Sequence, residues 1–176
     1  MTYSLNVPLP GAIYDRLHSL LPHLQGCPQR RRDPTLVCKR VPTTPPGAPP
    51  SVGHLRTELA PAIAAAEAVL TDGCAVTIRG VDTFETPPSG TAPVLYLAVD
   101  SPELLRLHAA LCTHLEPVAG LEAAAYVPHV TVARGCPRAH IDGAIAAGVE
   151  PLSFHVDALE LYDSRYRAPV TRFALP

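Results

Sequence analysis

The stretch Tyr126-Val-Pro-His129-Val-Thr131-Val-Ala-Arg134-Gly135 alternates polar with β-branched residues up to a closing glycine. That pattern predicts a strand over residues 127–134. Successive side chains on a strand point to opposite faces, so His129 and Thr131 share one face. A titratable imidazole beside a hydroxyl suits a phosphate. The hydroxyl donates to a non-bridging oxygen, and the imidazole, with an ordinary pKa of about 6.5, moves a proton at the reacting oxygen. Arg134 stands three residues past Thr131 and reaches that face only if the strand bends or ends there.

A second threonine-bearing strand is predicted over residues 35–41, entered through Asp33-Pro34-Thr35-Leu-Val-Cys-Lys39-Arg40. Both follow the same upstream pattern. Val7-Pro-Leu-Pro10, Arg16-Leu17-His18-x-x-Leu21 and His23-Leu24 match Val99-Asp-Ser-Pro102, Arg106-Leu107-His108-x-x-Leu111 and His114-Leu115, about 92 to 96 residues later. A strand, a proline-opened helix and a threonine strand therefore occur twice. One bilobal domain over 1–176 is expected, its repeats starting near residues 3 and 94, with a site between the lobes. Further strands are predicted over 3–7, 75–79, 93–99, 152–161 and 170–175, and helices over 11–24, 54–70, 104–115 and 141–147. Residues 42–50 hold five prolines and are expected to form a loop. His18, His23, His108 and His114 on the helices, and His54, His140 and His155, read as surface or structural residues.

The chain has 176 residues, a net charge of −2, and 47% hydrophobic against 17% charged residues, which excludes a disordered tail and a coiled coil. No run of 18 apolar residues exists and the start lacks a signal-peptide pattern, so a cytoplasmic protein without membrane contact is expected. The five cysteines are widely spaced without a CxxC pair, which predicts buried or idle thiols and no zinc site. The near-neutral total hides a basic window. Arg30, Arg31, Arg32, Lys39 and Arg40 fall in one window of eleven residues that runs into the predicted cleft strand, as a solvated face or as a phosphate contact.

Tyr126-Val-Pro-His-Val-Thr-Val-Ala-Arg134 resembles the second signature of the two-histidine phosphoesterase superfamily, the 2′-5′ RNA ligase and cyclic phosphodiesterase group. Ser4-Leu-Asn-Val-Pro-Leu-Pro10, Gly80-Val-Asp-Thr-Phe84, Val94-Leu-Tyr-Leu-Ala-Val99 and the 104–115 helix resemble other parts of it. The resemblance implies an α+β fold of two small antiparallel sheets in pseudo-two-fold arrangement, with helices outside and two H-x-T motifs facing a central cleft. It implies an RNA-processing phosphoesterase acting on 2′,3′-cyclic phosphates or 2′-5′ linkages, with neither cofactor nor metal. RNA ends or cyclic nucleotides would be its partners, and a monomer is expected. The catalytic set carried over is His129, Thr131, Thr35 and Asp33, with Arg134, Lys39, Arg40 and Tyr126 as substrate contacts. Tyr126 could equally be a core residue.

Asp33 stands where that family has its first histidine. A carboxylate, titrating near ~3.9 in model peptides, can serve as a base but is a poor acid near neutrality. At ~4 Å and an effective dielectric of about 20 it also repels a phosphodiester by about 4 kcal/mol before screening, which the basic window could offset. Three readings follow. Asp33 is a base with His129 as acid; the cleft binds phosphate or RNA ends with little or no turnover; or another histidine, foremost His54, takes the vacant place. A misaligned first motif, with Asp33 as an ordinary turn residue beside proline, is the remaining alternative.

Overall fold

The computed structural model describes residues 3–42 and 51–176. Most of the proline-rich segment expected as a loop, residues 43–50, lies outside the described residues. Alternation along β1 (Tyr3–Val7) buries Leu5 and Val7 on one face and turns Ser4 and Asn6 to the other. β1 pairs antiparallel with β3 (Leu36–Val41) on one side and β8 (Ala158–Asp163) on the other, and β9 (Ala168–Ala174) closes that edge. The second half repeats the arrangement. β5 (Val94–Asp100) lies between β6 (His129–Arg134) and β4 (Ala75–Phe84), and β7 (Leu152–His155) closes the far edge.

The complete order is β7-β4-β5-β6-β3-β1-β8-β9, with short β2 (Gln29–Arg30) added against β6. The two four-stranded halves are thus joined in one sheet, and β3 meets β6 at the single pair Leu36↔Val130. Read outward from that seam, each half runs threonine strand, opening strand, then two more. This is an α+β fold with pseudo-two-fold arrangement.

Helices α1 (Ala12–Leu20), α2 (Val52–Ala68), α3 (Pro102–Cys112) and α4 (Arg138–Ala147) supply the opposing apolar layer. In α3 the Ser101 hydroxyl accepts the Leu104 N–H and Pro102 occupies the first turn, a start the sequence announces. Leu104, Leu107 and Leu111 then reach the core with Ile13 and Leu20 of α1, Leu59 of α2, and Leu5, Leu36, Leu97 and Val130 from the sheet. No helix among the described residues is long and apolar enough to cross a membrane.

Several expectations need correction. The single strand expected over 152–161 is two strands: β7 pairs with β4 and β8 with β1, in opposite halves. The 11–24 helix ends at Leu20 and continues as a 3-10 turn over Leu21–Leu24, with Pro22 in its first turn. His108, expected at or near the surface, is buried. Its Nδ1–H donates to the Cys38 carbonyl at 2.7 Å and Nε2 accepts the Ala123 N–H at 2.9 Å. Burial, which disfavours the cation, pushes its pKa down. Cys27 and Cys136, expected as thiols, are joined in a disulfide that ties the approach to β2 to the chain leaving β6. Cys38 and Cys74 are buried free thiols, and Cys112 is partly exposed.

Candidate active site

The side of the sheet around the seam opposite the helices forms a cleft of about 780 Å³. One residue on from the Leu36↔Val130 pair, antiparallel register brings Thr35 across from Thr131; one residue the other way, Val37 lies across from His129. All four line the cleft. His129 and Thr131 share their face as alternation requires.

His129 is the one histidine lining the cleft among the described residues. Its Nδ1 lies 2.7 Å from the Val127 carbonyl oxygen, which can only accept, so the ring proton sits on Nδ1 and Nε2 presents a lone pair. Phe84 and Tyr96 pack around the imidazole, with ring centroids 5.1 and 5.4 Å away at steep angles. Burial lowers the His129 pKa, and the positive charges of Arg40 and Arg134 lower it further, against the opposite pull of the Val127 carbonyl. The neutral imidazole is therefore favoured, the form that accepts a proton.

Two bulges decide which basic residues face the cleft. Along β5 and β6 the pairing passes from Leu95↔Ala133 to Tyr96↔Thr131, leaving Val132 unmatched. The extra residue resets the alternation, so Arg134 lines the cleft with Thr131. Along β1 and β3 it passes from Leu5↔Lys39 to Asn6↔Val37, leaving Cys38 unmatched. Arg40 thereby lines the cleft and Lys39 turns inward. Lys39 is fully buried, with Nζ 2.6 Å from Glu122 Oε2, 3.0 Å from the Glu116 carbonyl and 2.8 Å from the Arg40 carbonyl. The expectation that Lys39 contacts substrate is corrected accordingly.

Asp33 lines the cleft but lies off the ladder. Between the pairs Arg30↔Ala133 and Leu36↔Val130, one strand advances six residues while β6 advances three. The surplus is taken up in a bend containing Arg32 and Asp33, both exposed. The ladder position across from Ala133, which an unbroken strand would give to residue 33, belongs to Arg30. Arg30, Arg31 and Arg32 all line the cleft.

Tyr126 lines the cleft as a supporting residue. Its hydroxyl donates to the Val37 carbonyl at 2.8 Å, and its ring stacks on His108 with centroids 3.8 Å apart. Burial pushes its pKa up. His54 is not brought in: its side chain is exposed on α2, with Nε2 3.1 Å from Glu58 Oε1. Sequence reasoning missed Asn6, Phe84 and Tyr162, which also line the cleft. The polar Ser4 and Asn6 alternating with Leu5 and Val7 were the available signal for the first of these.

Arg134 is held by its Nη1 donating to the Ser89 carbonyl at 3.1 Å. Gly90 beside it has φ +79°, and a Cβ there would stand 2.8 Å from the same Nη1. Gly90→Ala is therefore expected to displace the guanidinium, in addition to a backbone cost of roughly 1–2 kcal/mol for the left-handed conformation. A nucleotide titration followed by calorimetry should show affinity weakened several-fold. Unchanged affinity would remove Arg134 from the binding surface.

A family model described as the 2′-5′ RNA ligase superfamily matches residues 19–167. No curated protein matches the sequence. Among solved structures, Escherichia coli LigT complexed with 3′-AMP is 16% identical, with a TM-score of 0.62 over 99% of this chain and 97% of that one. LigT complexed with NADP+ is 18% identical, with a TM-score of 0.60 over 99% and 96%. The protein TT0787 of Thermus thermophilus is 19% identical, with a TM-score of 0.60 over 99% and 98%. These likenesses establish the fold, and the family match covers most of the sequence, including both threonine strands: the chain belongs to the 2′-5′ RNA ligase superfamily.

Proposed function

We propose that the protein is a phosphoesterase that opens 2′,3′-cyclic phosphates at RNA ends or in nucleotides, with His129 as its general base. The observation that carries this reading is the His129 imidazole, its proton held on Nδ1 by Val127 and its bare Nε2 in a cleft with Thr35 and Thr131. The two hydroxyls donate to the non-bridging phosphate oxygens. Nε2 takes a proton from water as that water attacks phosphorus. The bond from phosphorus to one ribose oxygen breaks, and that oxygen leaves toward the arginines, whose charge stabilises it until it takes a proton from solvent. The imidazolium returns its proton to solvent. The imidazole, the hydroxyls, the arginines and solvent together account for every proton and charge in this step. The family match and the nucleotides bound by LigT, a fold neighbour, support this substrate class. A 2′-5′ linkage presents the same phosphodiester to the same groups.

In this reading Asp33, which lines the cleft from the bend, tunes the charge of the arginine rim, and His129 is the group that moves the proton. The test is hydrolysis of the four nucleoside 2′,3′-cyclic monophosphates and a cyclic-phosphate-ended RNA, resolved by chromatography into 2′- and 3′-phosphate products. Wild type should turn them over, and Asp33→Asn should stay within about threefold of wild type. A 10²-fold or greater loss in Asp33→Asn would make the carboxylate an acid–base group. Binding without turnover by wild type would make the protein a nucleotide-end binder.

A further inference from the structure

Arg30, Arg31, Arg32, Arg134 and Arg167 line the cleft, and among the described residues none of them has a carboxylate within ion-pair distance. Elsewhere on the surface arginines meet acids: Arg138 meets Glu85 and Asp142, Arg165 meets Asp163, and Arg172 meets Asp157. Arg40, which also faces the cleft, is 3.6 Å from Glu122, a carboxylate already shared with Lys39. Asp33 is the one carboxylate lining the cleft among the described residues. A cyclic phosphodiester carries a single negative charge, so the cleft holds more positive charge than the reacting phosphate answers.

The arginines fall into two groups. Arg40 and Arg134 act on the His129 imidazole. Arg31 and Arg167 act instead on the Tyr162 hydroxyl, against the charge of Asp33. Tyr162 stands on β8, two strand spacings or about 10 Å from β3, through the pairs Tyr162↔Ser4 and Ser4↔Arg40. Arg31 also acts on Arg134, so it lies between the groups. The second group is therefore far enough from His129 for another anion and near enough for one on the same nucleotide.

Both arginines of that group have a fixed backbone. The Arg31 N–H donates to the carbonyl of Val132, the unmatched residue of β6, at 2.8 Å. Arg167 ends the turn over residues 164–167 between β8 and β9 with φ +52°, a left-handed conformation that favours glycine. An arginine where glycine is easier points to a use for its side chain. Guanidinium groups match phosphate oxygens with paired donors, and the Tyr162 hydroxyl adds a neutral one.

We propose that Arg31, Arg167 and Tyr162 form a second phosphate site, which takes the phosphate on the 5′ oxygen of the nucleotide whose cyclic phosphate lies on Thr35 and Thr131. This rests on the reading of the cleft as a nucleotide phosphoesterase site. A 5′-phosphorylated nucleotide and an RNA strand, which continues from that oxygen, present the same group.

The experiment measures kcat/KM on uridine 2′,3′-cyclic phosphate, on the same nucleotide carrying a 5′-phosphate, and on a uridine dinucleotide ending in the cyclic phosphate. Wild type is compared with Arg31→Gln and Arg167→Gly. Binding of uridine 3′-monophosphate and uridine 3′,5′-bisphosphate is measured by calorimetry, and thermal unfolding is recorded. Wild type should prefer a 5′-substituted substrate over the unsubstituted one by roughly 10–100-fold, and each variant should reduce that ratio about tenfold. The melting temperature of Arg167→Gly should not fall, because glycine suits the positive φ. A preference that extends to the dinucleotide identifies an RNA strand as the occupant, and a preference for the 5′-phosphate alone identifies a free nucleotide. Turnover of all three substrates at similar kcat/KM, or a preference that survives in both variants, overturns the site and leaves the reaction standing. If nothing is hydrolysed but the bisphosphate binds more tightly than the monophosphate, and Arg167→Gly removes the difference, the reaction fails and the second site stands. Absence of nucleotide binding overturns both.

Discussion

His129→Ala lowers kcat on a 2′,3′-cyclic nucleotide by roughly 10²–10⁴-fold, the contribution of one positioned acid–base group, while KM stays within about fivefold. KM is spared because the threonines and arginines that seat the phosphate are untouched. The pH profile gives a sharper test. The base works when neutral, so the rate falls as pH drops through the His129 pKa. Burial foremost, then Arg40 and Arg134, hold that pKa below the ordinary imidazole value of about 6.5, so the acid limb of kcat/KM should lie below that value. Arg134→Met removes one of those charges and should move the limb toward higher pH, a displacement that a purely structural role for Arg134 would not produce. An unchanged rate in His129→Ala, or an acid limb above about 6.5, would remove His129 as the base.

The faces of individual strands were legible in the sequence, and the register between strands was not. His129 and Thr131 fall on one face by alternation alone, and Ser101-Pro102 announces the start of α3. Lys39 and Arg40 are adjacent basic residues in one strand, and nothing in that strand tells which faces the cleft. The answer lies in the unmatched Cys38, which exists only relative to β1. Val132 opposite β5 does the same for Arg134. Asp33 follows from the same limit: matched by sequence it occupies a motif position, but the three surplus residues between the β2 and β3 pairings carry it into a bend. The 152–161 run alternates apolar with polar residues as far as Asp157 and slips at Ala158-Leu159, but which half each part joins exists only in the pairing of β7 with β4 and of β8 with β1. The Cys27–Cys136 bond joins residues 109 apart, a proximity that local pattern does not encode.

Glu122→Ala should cost about 3–5 kcal/mol of stability, a large share of the roughly 5–15 kcal/mol that holds a domain together. Glu122 and Lys39 are both fully buried, so removing the carboxylate strands an ammonium inside the protein. Glu122 does more than neutralise it. Oε1 accepts the Arg40 N–H at 2.6 Å and Oε2 accepts the Val118 N–H at 2.9 Å, clamping the chain that leads to Tyr126 and His129 onto β3. Replacing both partners of a simple buried ion pair by apolar residues is often neutral or stabilising. Here Lys39→Met with Glu122→Leu should recover only part of the loss, since each backbone N–H left unpaired costs about 1–3 kcal/mol. Urea unfolding at constant m measures both variants against wild type. Burial raises the Glu122 pKa, but the Lys39 hydrogen bond and the two backbone N–H groups outweigh it and hold the carboxyl below its ordinary value. Its stabilisation is therefore complete above the usual carboxylate range, near ~4.3, and lost as pH falls through the lowered folded value, so the difference between wild type and Glu122→Ala should shrink in acid. Lys39 is the only lysine in the chain, which gives an independent readout. An amine-directed reagent should leave it unlabelled in the native protein and label it in Glu122→Ala as the clamp opens. A loss under about 1 kcal/mol, with Lys39 still protected, would mean that the clamp does not hold this wall of the cleft.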